Sequence, residues 1–319
     1  MTFIGNYELT KALKLGGQSR WGFVRKDGHE YFIKEFLAPK YPVVTKDLTP
    51  DLIQIQRTAA ERFEDNQSAF YQALKRCRNG CMIVNLDFFR DGPYYYAVTD
   101  KVKGPYLSVE EIAALPEEKK RALTRSVLAG IAELHSRHIV HSDIKPDNIL
   151  VIRTRKGFCA AKIIDFESGY FEGRQPRSIV GDPPYFSPEK IYHETDEETD
   201  VLVSSDIFAL GVLFHQYWTG SFPLFDTQQY SSVGDALLQG GSVALSTGLP
   251  EDIFEMIRTM LNLDPDERPT AEALLEAQLL PLESLPAPID VSGETGAWLE
   301  NKQPIEVPPG FRPMGDDDL

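Results

Sequence analysis

Positive charge and cysteine are what this sequence is short of. Its 319 residues hold 33 lysines and arginines against 48 aspartates and glutamates, a formal net charge of −15. A nucleic acid or an anionic membrane surface is therefore not its expected partner. The acidity is uneven, with five carboxylates between Glu194 and Asp200 and eight acids against Lys302 and Arg312 in residues 281–319. The rest of the chain is close to neutral and need not repel a phosphate-bearing ligand. Three cysteines, Cys77, Cys81 and Cys159, form no CxxC pair, which argues against a disulfide framework or a four-cysteine zinc site and for a reducing, cytoplasmic setting. No stretch approaches about 18 uninterrupted apolar residues. The opening MTFIGNYELTK lacks the basic region and apolar run of a signal peptide, so neither membrane insertion nor signal-led secretion is expected.

What is present is ordinary globular material, 42% hydrophobic and 25% charged, without internal repeats. A single core stops growing at about 250–300 residues, so two lobes and a tail suit this length better. Up to residue 100 the pattern is β-rich. Short alternating runs between Tyr7 and Lys34 flank the Asp27-Gly28 turn signal, and two further strands are expected over Met82–Leu86 and Tyr94–Val98. Between them, Leu52, Ile55, Ala59, Phe63, Phe70 and Leu74 recur at mostly helical spacing after Pro50, predicting one long helix over 51–77. From 101 to 280 helical periodicity dominates, over 116–136, 205–219 and 250–262. Residues 281–319, with seven prolines and eight acids, read as an extended tail in which Trp298 and Phe311 are candidate anchors for a partner.

The chemistry is concentrated in His141-Ser142-Asp143-Ile144-Lys145-Pro146-Asp147-Asn148-Ile149-Leu150 and in Ile163-Ile164-Asp165-Phe166-Glu167. Phosphoryl transfer needs a carboxylate near the acceptor hydroxyl, a cation on the moving phosphate and oxygens for a metal ion. Asp143, Lys145, Asn148 and Asp165 supply that set. The two segments resemble the catalytic and metal-binding loops of eukaryotic-type (Hanks-type) serine/threonine protein kinases, with this chain a divergent member. Leu15–Val24 resembles the glycine-rich loop of that family, with Gly17, Ser19, Gly22 and Val24 at the G-x-G-x-x-G-x-V positions. Tyr31-Phe32-Ile33-Lys34 resembles its lysine-bearing strand. Gly181–Glu189, Ser205–Gly211 and Asp264–Pro269 resemble three later signatures.

The resemblance spans about residues 7–280 and implies an α+β, bilobal protein-kinase-like fold, with a β-rich N-lobe carrying one long helix and a mainly α-helical C-lobe. It implies catalytic roles for Asp143, Lys145 and Asn148, and metal binding by Asn148 and Asp165. ATP contacts are implied for Gly17, Ser19, Gly22, Val24, Lys34, Glu64, Asp100, Val102 and Leu150. Glu64 is chosen over Glu61 to pair with Lys34, although the register counted back from Leu74 puts Gln67 at that place. By the same resemblance Glu189 pairs with Arg268, Asp206 holds the catalytic loop, and His141 packs on Phe166 rather than joining His135 and His138 in a metal site. The implied cofactors are ATP and Mg2+, and the implied partner is a protein substrate.

Several positions depart from the family. Ser142 replaces an arginine that receives an activation-loop phosphate, which removes the usual switch. Glu167 replaces a glycine, adds a carboxylate beside Asp165, and is expected to shift metal preference towards Mn2+. Asp182 stands where a threonine commonly bridges the catalytic Asp and Lys. Phe32 replaces a small alanine. The changed positions leave a pseudokinase scaffold as the alternative, while the surviving set of four favours an active enzyme.

Overall fold

The computed structural model of the protein describes residues 2–16, 19–43, 49–77, 79–153 and 159–279. The expected loop glycine Gly17 and the tail over 281–319 lie outside these residues. One unit comprises Met1–Arg78 and Ile83–Lys103, and the second comprises Asn79–Met82 and the described chain from Gly104. The architecture is α+β, with the strands concentrated in the first unit and the helices in the second.

In the first unit β1 (Phe3–Ile4), β2 (Tyr7–Leu9), β3 (Lys14–Gly16), β4 (Ser19–Lys26), β5 (His29–Phe36), β6 (Asn85–Asp91) and β7 (Tyr94–Asp100) form one antiparallel sheet. Its order is β1-β2-β4-β5-β7-β6, with β3 paired to β4. The Asp27-Gly28 signal holds: both residues take positive φ, 51° and 80°, as a tight hairpin between β4 and β5 requires. β1 and β2 were not separable in the sequence, because strands of two and three residues carry no alternation. The strand expected from Met82 begins instead at Asn85, since Cys81 O accepts from Ile163 N at 2.7 Å and Met82 bridges Ile163. That backbone is engaged with the second unit's own strand.

The period of two gives the sheet two apolar faces. Ile4, Tyr7, Val24, Ile33, Tyr96 and Val98 form the core on one. On the other, Phe36, Phe88 and Tyr95 meet helix α1 (Pro50–Lys75) through Phe63, whose ring lies 5.3 Å from Phe36 and 5.2 Å from Tyr95. Thr49 caps α1 by accepting from Leu52 N, and Pro50 occupies the first turn, where its missing N–H costs nothing. Leu52 and Ile55 continue the apolar spacing but stay 47% and 55% exposed. The periodicity thus outruns the surface that covers it.

The second unit contains α2 (Val109–Ala113), α3 (Glu117–His135), α4 (Pro188–His193), α5 (Val203–Thr219), α6 (Val233–Leu238), α7 (Glu251–Met260) and α8 (Ala271–Leu279). Two small strand pairs accompany them, β8 (Ile139–Val140) with β11 (Tyr170–Phe171) and β9 (Ile149–Arg153) with β10 (Cys159–Ile163). The three helices expected from periodicity are α3, α5 and α7. α2, α4 and α6 escaped because fewer than two turns do not establish a period of 3.6. Every residue from Ser205 to Trp218 of α5 is buried, which makes it the axis of this unit. Among the described residues no helix is long and apolar enough to cross a membrane.

The segment after α7 is pinned to α4 by Arg268, which donates to both Glu189 oxygens at 2.7 and 2.8 Å with the two side chains 0% and 1% exposed. Arg268 also donates to Asn262 O and Ser204 O. Removing one partner of such a pair leaves an unpaired buried charge, so Arg268→Ala is expected to cost about 3–5 kcal/mol in urea unfolding. Adding Glu189→Gln to that variant should recover part of the loss, because it removes the orphaned charge.

Candidate active site

The expected catalytic loop leaves β8 at Val140 and is held by one carboxylate. Asp206, in the first turn of α5, accepts from His141 N at 2.7 Å, from Ser142 N at 2.9 Å and from His135 Nε2 at 3.1 Å. Burial alone would raise its proton affinity, but the His135 hydrogen bond and the two loop amides outweigh that, and the Asp206 carboxyl sits below the ordinary aspartate range. His141 is fully buried, bonds Ile164 O at 3.1 Å, and packs its ring 5.1 Å from Phe166. His138 turns away to Glu172. Each of the three histidines thus has its own partner: Asp206 for His135, Glu172 for His138 and Ile164 O for His141.

Two residues of this site have left-handed backbone. Ser142 and Asp165 take φ of +68° and +62°, a region that non-glycine residues enter only where their surroundings fix them. Glu167 is not among the positive-φ residues. The glycine it replaces is therefore not required by the backbone here.

Asp143 follows Ser142 directly. Asn148 Nδ2 donates to its backbone O at 2.8 Å and to its Oδ2 at 2.7 Å, and Lys145 Nζ lies 3.0 Å from the same Oδ2. The other oxygen, Oδ1, is buried and makes no hydrogen bond. Asp182 reaches Lys145 at 4.0 Å, so the substituted aspartate does engage the lysine, at the limit of an ion pair. The β9/β10 register pairs Ile149 with Ile163, and Ile164 N donates to Asn148 O at 2.9 Å. Asn148 and Asp165 thereby come to the same end of that hairpin. Leu150 lies in β9 opposite Lys162. Among the described residues no three His, Cys, Asp or Glu side chains form a cage for a cation. An oxygen set of Asn148 and Asp165 fits an ion such as Mg2+, which commonly takes one or two protein oxygens and completes its shell with phosphate and water.

In the first unit Lys34 projects from β5 opposite Trp21 and Ala97. α1 packs on that same face, where Ala60 O accepts from the Tyr95 hydroxyl at 3.1 Å, and burial followed by the Glu64 carboxylate raises that hydroxyl's proton affinity. Gly16 pairs with Ser19, and Ser19 Oγ donates back to Gly16 O at 3.2 Å. Gly22 and Val24, expected at loop positions, lie inside β4 opposite Ile33 and Tyr31, on the face away from Lys34. A Cβ at Gly22 would stand 2.8 Å from Leu13 Cδ2, so that the end of the leucine side chain would have to shift to admit it. The residues sharing the Lys34 face are Trp21 and Phe23, which with Phe32 form a cluster of rings 5.9–6.2 Å apart. A motif fixes spacing but not strand register, which is why these aromatics escaped notice. Asp100 ends β7 and Val102 follows it in a half-buried position.

One buried cation was missed. Lys190, in the turn after Glu189, is 4% exposed and directs its ammonium at Ser142. Its signal in the sequence was the arginine missing before Asp143.

A family model described as protein kinase domain matches residues 54–280, beginning within α1 and so leaving the Lys34 strand outside the match. Calcium-dependent protein kinase 4 of Plasmodium berghei is 29% identical over 234 residues, which cover 70% of this chain and 40% of that protein. The phosphorylase b kinase gamma catalytic chain, liver/testis isoform, of Bos taurus is 27% identical over 263 residues, covering 79% and 62%. Protein kinase kin1 of Schizosaccharomyces pombe is 27% identical over 288 residues, covering 85% and 30%. The chain spans less than two thirds of the length of these relatives.

The Asp206 contacts carry a pH signature. A carboxyl whose folded proton affinity lies below its ordinary value of 3.8 contributes stability that is full above that value and is lost as pH falls through the folded one. Asp206→Asn is expected to cost about 3 kcal/mol in urea unfolding at pH 6. The gap between variant and wild type should narrow at pH 3.

Proposed function

Because this chain belongs to the protein kinase family, we propose that it transfers the γ-phosphate of ATP to a serine or threonine hydroxyl of a protein substrate. The observation that carries the reading is the state of Asp143: its Oδ2 and backbone O are fixed by Asn148 and Lys145, and its Oδ1 is buried with no partner. That oxygen retains its capacity to accept from a substrate hydroxyl. Asp143 takes the hydroxyl proton as the hydroxyl oxygen bonds the γ-phosphorus and the phosphorus–oxygen bond to ADP breaks. Lys145 stands beside Asp143 to offset charge on the moving phosphoryl group. Asn148 and Asp165 are the proposed metal ligands, and Mg2+ bound there would neutralise charge on the phosphate oxygens. Glu167, half-buried two residues after Asp165, supports tolerance of Mn2+. For the nucleotide we propose Gly17, Ser19, Gly22, Val24, Lys34, Glu64, Asp100, Val102 and Leu150, together with Trp21, which pairs with Lys34 across β4 and β5. A serine/threonine acceptor is favoured by Lys145 two residues after Asp143.

Control by activation-loop phosphorylation is not part of the proposal. Of the loop's three serines, Ser187 is fully buried and bonded to Ser205 Oγ at 2.8 Å, which removes it as an acceptor. Ser178 is exposed, and its neighbour Arg177 already faces Glu197 at 3.9 Å. A cytoplasmic setting is supported by two buried free thiols, Cys77 and Cys81, the latter pushed up to about 11 by burial and so unreactive.

The test is incubation with γ-labelled ATP and a mixed protein substrate beside Asp143→Asn. Wild type should label serine and threonine, and the variant should be slower by about a hundredfold or more. Equal label in both would favour a scaffold without catalysis.

A further inference from the structure

We propose that Lys190 is a positioning residue for phosphoryl transfer, tying the activation segment to the backbone just before Asp143 by a buried ammonium. The inference rests on the phosphotransfer reading above. Lys190 lies in the first turn of α4, where its N–H is capped by Ser187 Oγ. Its Nζ donates to Ser142 O, to Ser142 Oγ at 3.1 Å and to Val180 O at 3.3 Å. Three donors thus meet three acceptors, two on the catalytic loop and one on the activation segment. The Phe186 ring lies 4.3 Å from the ammonium and closes the site from the side.

The strained residue explains what the lysine does. Ser142 holds φ at +68°, and both its backbone groups are fixed from opposite sides. Asp206 Oδ1 accepts from its N–H at 2.9 Å, and Lys190 donates to its carbonyl. A left-handed residue persists where its surroundings over-determine it, and its dihedral sets the direction in which Asp143 leaves the loop. Gly181 completes the fit. A Cβ there would stand 2.8 Å from Lys190 Nζ and 3.1 Å from Ser142 O, so only glycine lets the segment approach this closely.

Charge supports the same placement. Burial pushes the Lys190 ammonium down to about 8, against Asp206, Asp143 and Glu189, which favour the charge, and Lys145, which opposes it. Burying an ammonium is unfavourable unless its hydrogen bonds are used. Here they join the catalytic loop at Ser142 O to the activation segment at Val180 O, in addition to the longer Lys145–Asp182 contact of 4.0 Å. In the family resemblance this link runs from an arginine at position 142 to a phosphate on the loop. In this chain the cation comes from the other side and needs no phosphate.

The experiment compares wild type with Lys190→Met in the full chain. Turnover should fall about tenfold or more, with KM for ATP within about twofold. Hydrogen exchange of the amides in 178–182 should accelerate about tenfold, while those of α5 stay unchanged. Gly181→Ala crowds the same ammonium without removing it and should give the same pattern; it carries the test if methionine prevents folding. Turnover and exchange at wild-type levels in both variants would overturn the proposal, as would exchange rising equally in α5. If wild type transfers no phosphate, the kinase reading fails, and the exchange measurement still decides whether Lys190 is the anchor.

Discussion

The arrangement around Asp143 depends on the buried carboxylate of Asp206. It accepts from two consecutive loop amides and from His135, on the one helix of the second unit that is buried along nearly its whole length. A loop carrying a left-handed serine would relax if one of those amides lost its acceptor, because the strain is not offset locally. The position of Asp143 is therefore set by α5 and only secondarily by its own sequence neighbours. Asn148 and Lys145 then orient the carboxylate that α5 has placed.

The segment that follows Asp165 is fastened by groups already in the chain. Ile179 packs with Val140, Tyr170 and Val201 in one small core. The two ring nitrogens of His193 lie 2.8 Å from Thr199 O and 3.0 Å from Arg177 O, and Gln175 bonds Thr199 O and Val201 N. Glu189 is locked by Arg268, and its neighbour Lys190 reaches back to Ser142. The acidic stretch from Glu194 to Asp200 thus has a structural use near its C-terminal end, where Thr199 O receives both His193 and Gln175. A phosphate would have to add order to a segment that these contacts already hold.

Long periodic helices and residue-type motifs were readable in the sequence because each rests on spacing along one chain. Asp206, Glu189 with Arg268, and His141 on Phe166 were placed correctly by resemblance, and the structure supplies the distances. What was not readable depends on partners far apart in the chain. Strand register moved Gly22 and Val24 to the face away from Lys34 and brought Trp21 and Phe23 to it. The ammonium of Lys190 meets Ser142 across 48 positions. Leu52 and Ile55 kept the helical period yet remained exposed, since period alone does not say where a covering surface ends.

The central claim is that the proposed catalytic loop is assembled without phosphate. It is tested most directly by the progress curve of protein freed of phosphate, with its mass verified, on first exposure to ATP and substrate. The account predicts a linear course from the first turnovers, and a rate changed by less than about twofold after preincubation with ATP, under about 0.5 kcal/mol in barrier. A lag abolished by preincubation, or a tenfold rise in rate, would contradict it and would point to a phosphate receptor built around Arg174 and Arg177.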